Sequence, residues 1–252
     1  MLAEERLSRI TELVNRQGTA TVPELAAALD ASESTVRRDL EKLDEAGRVV
    51  KVHGGATAVP ASSLTRDLTV AERSHQAADE KRAIAAYAAT LVGPDDFVYL
   101  DAGTTVGAVI DELAEIRASF VTDSVSHAMR LAAKGLSVTV VGGELKSVTE
   151  ALVGPDALDA LARYHFTLGL FGTNGAAPEA GYTTLDRREA QVKQVALEHT
   201  ARAYVLCDAS KLGSTSLVTF APFDAATLVC DRLPEALAHT YQDQTTVVEV
   251  AK

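Results

Sequence analysis

Cysteine is scarce in this chain of 252 residues: Cys207 and Cys230 are the only two. Neither has a partner at the spacing of a metal-ligand or redox pair, so both read as reduced thiols. The six histidines are scattered without ligand spacing, and neither a metal nor a cofactor is expected. No uncharged apolar stretch approaches the ~18 residues a membrane span needs. The start, MLAEERLSRI, is charged and amphipathic, unlike the basic then apolar opening of a secretory signal. A cytoplasmic protein with no membrane partner is expected. There is no internal repeat, no low-complexity tract, and no G-x-G-x-x-G turn of the kind a nicotinamide site uses. Positive charge is also short, with 24 Lys+Arg against 35 Asp+Glu and a net charge of −11. Residues 1–57 hold eight basic and ten acidic side chains, leaving 16 against 25 for the rest. Neither part is basic, so any nucleic-acid contact must come from a local cluster of cations.

What is present is an ordinary globular composition, 47% hydrophobic and 23% charged, arranged in two parts. Gly54-Gly55-Ala56 and then Val59-Pro60-Ala61-Ser62-Ser63 mark a chain leaving a folded unit. A polar stretch follows through Arg66, Asp67, Glu72, Arg73, Ser74 and His75. From about residue 78, short β-branched runs alternate with helical segments. The expected division is a unit over 1–57, a linker over 58–77 and a second unit over 78–252.

In the first unit, Leu7, Ile10 and Val14 recur at helical spacing, predicting a helix that ends near Gln17-Gly18. Thr21-Val-Pro-Glu24 reads as a capping box opening a short second helix with Leu25 and Leu29 on its apolar face. After a tight Asp30-Ala31 turn, Ser32 caps a third helix running to about Ala46. Val36, Leu40 and Leu43 form its buried stripe, and Ser34, Arg37, Arg38 and Glu41 share the opposite face. Two short helices, a tight turn and a third helix with hydroxyls and arginines near its start fit a helix-turn-helix. Such a helix enters the major groove N-terminus first, where Arg forks onto guanine and the hydroxyls of Ser34 and Thr35 serve either base type. Lys42, Arg48 and Lys51 are placed to meet phosphates. Arg48-Val-Val-Lys-Val-His53 before Gly54-Gly55 reads as a small β-ribbon wing.

Ser-Glu-Ser-Thr-Val-Arg-Arg-Asp-Leu (32–40), with Leu43, Gly47 and Val-His-Gly-Gly-Ala (52–56), resembles the DNA-binding signature of the DeoR family of bacterial regulators. The resemblance implies operator binding through Ser34, Thr35, Arg37, Arg38, Lys42, Arg48, Lys51 and His53. It also implies a dimer or higher homo-oligomer on double-stranded operator DNA, and repression.

The second unit carries apolar runs at 97–100, 120–122, 137–141, 167–171, 203–207, 227–230 and 246–250. Helical stretches at 79–91, 105–117, 124–134 and 186–201 separate most of them, which predicts a largely parallel α/β sheet. Ligands in such sheets bind beyond the C-terminal strand ends. Those ends are Asp101-Ala-Gly103-Thr104-Thr105, Thr122-Asp123-Ser124, Gly142-Gly143-Glu144, Gly172-Thr-Asn-Gly175 and Asp208-Ala-Ser210-Lys211, with Lys193 on an intervening helix. Glycines, hydroxyls and free N–H groups at a helix start attract an anion. With two lysines, the set suits a phosphate attached to a polyol.

Leu-Asp-Ala-Gly-Thr-Thr (100–105), Val-Thr-Asp-Ser (121–124), Val-Gly-Gly-Glu-Leu (141–145), Leu-Val-Gly-Pro-Asp-Ala (152–157), Gly-Thr-Asn-Gly (172–175) and Asp-Ala-Ser-Lys (208–211) resemble, in order, the sensor domain of the same family. That domain is similar in fold to ribose-5-phosphate isomerase. The resemblance implies a phosphorylated sugar effector, held by Asp101, Gly103, Thr104, Thr105, Thr122, Ser124, Gly143, Lys193 and Lys211. The chain looks most like members that control fructose, lactose or tagatose use, so fructose 1-phosphate or another fructose or tagatose phosphate is the expected effector. Asp123 departs from the family's usual Asn. It enters the expected site either as a contact to a sugar hydroxyl or as a side chain pointing away, since a bare carboxylate near phosphate costs binding energy. The competing reading is an aldose–ketose phosphate isomerase with an accessory domain, using Asp101 or Asp123 as base and Lys193 or Lys211 to polarise the carbonyl. A recognition helix and wing have no place in that enzyme, so a non-enzymatic repressor is the expectation.

Overall fold

Helix α1 (Ala3–Gln17) is the first element of the chain, and Ile10 and Val14 on one side of it are fully buried. The computed structural model describes residues 3–45, 49–57 and 67–250. The chain divides into two units, Met1–Arg66 and Asp67–Lys252.

In the first unit, strand β1 (Thr19–Thr21) follows α1, then α2 (Val22–Leu29), α3 (Glu33–Glu45), β2 (Val50–Val52) and β3 (Gly55–Thr57). The expected capping box is present: Thr21 Oγ1 accepts from the Glu24 N–H, and the Glu24 carboxylate accepts from the Thr21 N–H at 2.8 Å. Asp30 takes a left-handed conformation (φ 49°) that ends α2 and turns the chain into α3. Ser32 Oγ accepts from the Thr35 N–H at 3.2 Å and caps α3. Val36, Leu40 and Leu43 face α1 and α2 in one core with Leu25, Leu29 and Val49. The wing is larger than the ribbon expected from sequence. β1 pairs with β3 as well, giving a three-stranded antiparallel sheet in the order β1-β3-β2. A three-residue Thr-Ala-Thr strand is too short to leave a periodic signal.

In the second unit, α4 (Val70–Ser74) and α5 (Ala78–Thr90) precede a seven-stranded sheet in which every pairing is parallel. Its strands are β4 (Phe97–Leu100), β5 (Ser119–Thr122), β6 (Ser137–Val140), β9 (Leu168–Gly172), β12 (Ala203–Leu206), β14 (Thr227–Cys230) and β15 (Val247–Glu249). Helices α6 (Thr104–Glu112), α7 (Val125–Ala133), α8 (Pro155–Leu161), α9 (Arg187–Glu198) and α10 (Glu235–Gln242) connect them. Both faces are covered, which is why the strands read as near-continuous apolar runs. Val98 and Leu100 of β4 pack into one core with Ile84 of α5 and Val106 of α6. Tyr99, between them, packs on the opposite face with Ala157 of α8 and Val192 of α9.

Smaller strands fill the connections: β7 (Glu144–Lys146) pairs with β8 (Ala151–Val153), while β10 (Gly175–Ala177), β11 (Gly181–Thr184) and β13 (Val218–Ala221) form an antiparallel sheet. The parallel-sheet expectation holds for all seven predicted runs. The antiparallel strands, α8 and α10 go beyond it. Residues 67–77, assigned by sequence to the linker, carry α4 with its own capping box, in which Thr69 Oγ1 accepts from the Glu72 N–H at 3.2 Å. Among the described residues no helix is long and apolar enough to cross a membrane.

The strand order β15-β14-β12-β9-β4-β5-β6 reverses direction between β4 and β9. In open α/β sheets that reversal leaves a crevice at the carboxyl ends of the two strands, because their following helices leave toward opposite faces.

Candidate functional site

A cleft sits at that reversal. Its floor is the turn after β4: Ala102, Gly103, Thr104 and Thr105 all line it, and Gly103 leads into α6 at φ 152°, a backbone conformation that residues with a side chain rarely adopt. Gly172, Thr173 and Asn174 after β9, Lys193 and Glu189 of α9, and Asp208 and Lys211 after β12 complete the far side. Three further cleft residues, Arg73, Gln76 and Lys81, come from α4, the turn after it and α5.

Beneath the floor lies a buried charge cluster. Asp101 is fully buried and paired with Lys193, which is 5% exposed. Asp101 Oδ2 also accepts from the Gly172 N–H at 2.8 Å, tying the end of β4 to the end of β9. Burial pushes the Asp101 carboxyl up, against the opposing pull of Lys193. Asp123 Oδ1 accepts from the Ala102 N–H at 2.8 Å. Its own burial, with the Asp101 charge adding to it, raises its carboxyl to about 8, so Asp123 keeps its proton at neutral pH. Asp101 Oδ1 is buried without a hydrogen-bond partner, an arrangement native interiors rarely keep without a reason. Lys81 is 7% exposed, donates to the Arg73 carbonyl at 2.6 Å, and is held down to about 8 by burial.

Of the expected effector residues, Gly103, Thr104, Thr105, Lys193 and Lys211 line the cleft. Asp101, Thr122, Asp123, Ser124 and Gly143 are outside that lining. Asp101 and Asp123 support the floor from below. The Thr122 hydroxyl donates to the Leu100 carbonyl at 2.6 Å, and Ser124 caps α7 by accepting from the His127 N–H at 3.3 Å. Gly143 has a packing reason: at φ 122°, an added Cβ would stand 2.5 Å from the Val153 carbonyl oxygen. Sequence reasoning left out Arg73, Gln76, Lys81, Thr149 and Glu189, which lie in the polar stretch read as linker or in helices and turns without a glycine or strand-end signal.

In the first unit, Ser34, Arg37, Arg38 and Lys42 are exposed along α3 and Thr35 is half-buried. Lys51 and His53 are exposed on β2 and the turn after it. Arg48 falls outside the described residues. Arg37 pairs with Glu33 at 2.7 Å, and Lys51 with Glu41 at 2.7 Å. Both pairs are exposed, where ion pairs contribute little. Asp39, between the arginines and Leu40, turns inward instead and accepts from Arg6 of α1 at 2.5 Å, locking α3 onto α1. Among the described residues no group of three or more His, Cys, Asp or Glu is placed to hold a metal.

A winged helix-turn-helix in one unit and a cation-lined cleft at the switch point of a parallel sheet in the other define a transcription regulator with a sensor domain. The chain belongs to the DeoR family: the model of the DeoR C terminal sensor domain matches residues 76–232, and that of the DeoR-like helix-turn-helix domain matches residues 6–61. It is 38% identical over 253 residues to the uncharacterized HTH-type transcriptional regulator FruR of Bacillus subtilis, covering 100% of both chains. It is 33% identical to the lactose phosphotransferase system repressor of Staphylococcus epidermidis, covering 86% of each. Among solved structures it is similar to ribose 5-phosphate isomerase A of Methanocaldococcus jannaschii, at 18% identity and a TM-score of 0.41, over 54% of this chain and 55% of that one. That last likeness is too slight to argue from.

Proposed function

We propose that the protein is a cytoplasmic repressor of a sugar catabolic or transport operon, acting as a homo-oligomer and released from its operator by a phosphorylated sugar bound in the cleft. The observation that carries this reading is the convergence of Lys81, Lys193 and Lys211 on the N terminus of α6. Backbone N–H groups at a helix start and buried ammonium groups together favour a phosphate dianion. Thr173, Asn174 and Thr184, also in the lining, suit the hydroxyls of the attached sugar. Residues 1–57 read DNA, and the sensor unit, with residues 67–77 included, reads the metabolite. The name of one relative, a lactose phosphotransferase system repressor, supports control by sugar metabolism, and the family resemblance makes a fructose or tagatose phosphate the candidate effector, with fructose 1-phosphate first. An isomerase using Asp101 or Asp123 as base is disfavoured, because both carboxyls lie beneath the floor and Asp101 is already paired with Lys193.

The test is binding of the full chain to the DNA upstream of its own gene, titrated with fructose 1-phosphate, fructose 1,6-bisphosphate, tagatose phosphates and unphosphorylated sugars. Specific binding that is lost in Arg37→Ala and Arg38→Ala, and that weakens with one phosphosugar only, is the expected result. Each of those substitutions should cost about 1–3 kcal/mol if its arginine contacts a base. Turnover of a phosphosugar without specific DNA binding would reverse the reading.

A further inference from the structure

Residues 67–76 follow directly on the segment that leads from the DNA-binding unit, and they are fastened to the sensor unit at the cleft. Lys146 of β7 is the fastening. Its ammonium pairs with Asp67, with Asp186 at 3.2 Å and with Glu189 at 3.0 Å. The Lys146 side chain is only 13% exposed, and those of Asp67 and Glu189 are 18% and 12%, so these charges are poorly screened and sensitive to one another. Glu189 lines the cleft and accepts a second hydrogen bond from Thr149 at 2.5 Å. Three residues on from Asp67, the Val70 N–H donates to the Val148 carbonyl at 3.2 Å. At the other end of the segment, Arg73 lines the cleft with its Nε buried and without a hydrogen-bond partner. Its carbonyl is held by Lys81, itself a cleft residue. A guanidinium N–H left unsatisfied in a cation-lined cleft is a donor waiting for an anion.

We propose that residues 67–76 form a strap that reads the cleft, with Arg73 contacting the anionic group of the ligand. Lys146, shared between Asp67 of the strap and Glu189 of the cleft wall, couples occupancy of the cleft to the segment leading to the DNA-binding unit. The strap rests on the effector reading above and supplies its route. A ligand shifts a conformational equilibrium only by binding one state better than the other. Here the differing contact is the division of one ammonium among three carboxylates: a ligand that engages Arg73 and crowds Glu189 changes the share left to Asp67. Arg73 is in this sense a binding residue, while Asp67 and Lys146 are positioning residues that act through it and through Glu189.

The experiment uses the full chain, its operator and whichever hexose phosphate of the panel above releases the wild type. Ligand affinity is measured by calorimetry, and the factor by which ligand lowers operator affinity is measured by titration. Arg73→Gln is expected to weaken ligand binding about 10- to 100-fold and to leave ligand-free operator binding unchanged. Asp67→Asn is expected to bind ligand within about threefold of the wild type while its release factor collapses toward one, since loss of coupling free energy is what that factor reports. Asp67→Glu and Lys146→Arg, which keep the charges, retain the wild-type factor. Wild-type release by Asp67→Asn, or wild-type ligand affinity in Arg73→Gln, overturns the strap while leaving the effector reading intact. If Asp67→Asn melts at a lower temperature and Asp67→Glu fails to restore release, the strap is overturned as well. Absence of any phosphosugar binding by the wild type removes the effector reading and the strap together.

Discussion

The exposed face of α3 with β2 and the cleft of the second unit both carry cations, yet they hold them in opposite ways. On α3 and β2, Arg37, Arg38, Lys42 and Lys51 stand in water, and the pairs Arg37–Glu33 and Lys51–Glu41 are exposed on both sides. Around the cleft, Lys81 and Lys193 are more than nine-tenths buried, and Lys193 is bound to an Asp101 that solvent does not reach. An exposed cation contributes through number and position, is screened by salt, and costs the fold little to hold. A buried cation acts singly, at high local field, and its removal strands its partner. The first surface therefore suits a long polyanion and the second a small one, within a chain whose net charge is −11.

Removing one cation from each region sharpens that contrast most. Lys193→Met is expected to cost about 3–5 kcal/mol of folding stability, because Asp101 is left buried and unpaired. Arg37→Ala should change stability by no more than about 0.5 kcal/mol. Denaturant unfolding of the two variants measures both, and equal losses would break the distinction.

A smaller effect is expected from Asp123→Asn. Folded Asp123 holds its proton up to about pH 8, whereas an unfolded Asp releases it near 4. Folding therefore takes up a proton between those values, and stability falls as pH rises from about 4 to about 8. The asparagine variant lacks this slope. It should gain about 1–3 kcal/mol over the parent at pH 8 and almost nothing at pH 4, as thermal melts across that range would reveal. A gain independent of pH would mean that Asp123 is ionised in the fold.

A further modest effect lies on the exposed side. Thr21→Ala removes the cap of α2 and should cost about 1 kcal/mol at any pH near neutrality. A loss that varied steeply with pH would show that the Glu24 partner is more than a surface cap.

Much of the fold was legible because its signals are local and periodic. The stripe Val36, Leu40, Leu43 placed α3, and the apolar runs ending in Asp101, Thr122, Gly172 and Asp208 placed four strand ends of the parallel sheet. Half of the candidate site followed from those ends: Gly103, Thr104, Thr105 and Lys211 sit just past them, and Lys193 lies on the helix before one of them. The other half was not legible. Arg73 and Lys81 sit in a charged stretch whose pattern is that of any solvated surface, and only packing of α4 and α5 against the start of α6 brings them to the cleft. Asp101 and Asp123 mark strand ends as well as any ligand contact would. Whether such a carboxylate faces the cleft or the floor depends on the turn that follows it.

The sequence alone therefore determined the three helices of the first unit, the seven parallel strands and their order, because helix and strand periods and turn residues act over a few positions. It also placed α3 and the exposed face that carries Ser34, Arg37 and Arg38, since a helix carries its faces in its own spacing. Tertiary structure alone decided which charges are spent on one another and which remain for a ligand. Asp39 went to Arg6, Asp101 to Lys193 and Glu189 to Lys146, while Arg73 was left with an unsatisfied donor in the cleft. Electrostatic energy depends on distance and burial in space, and residues 33, 92 and 43 positions apart carry no mark in the chain that they will meet.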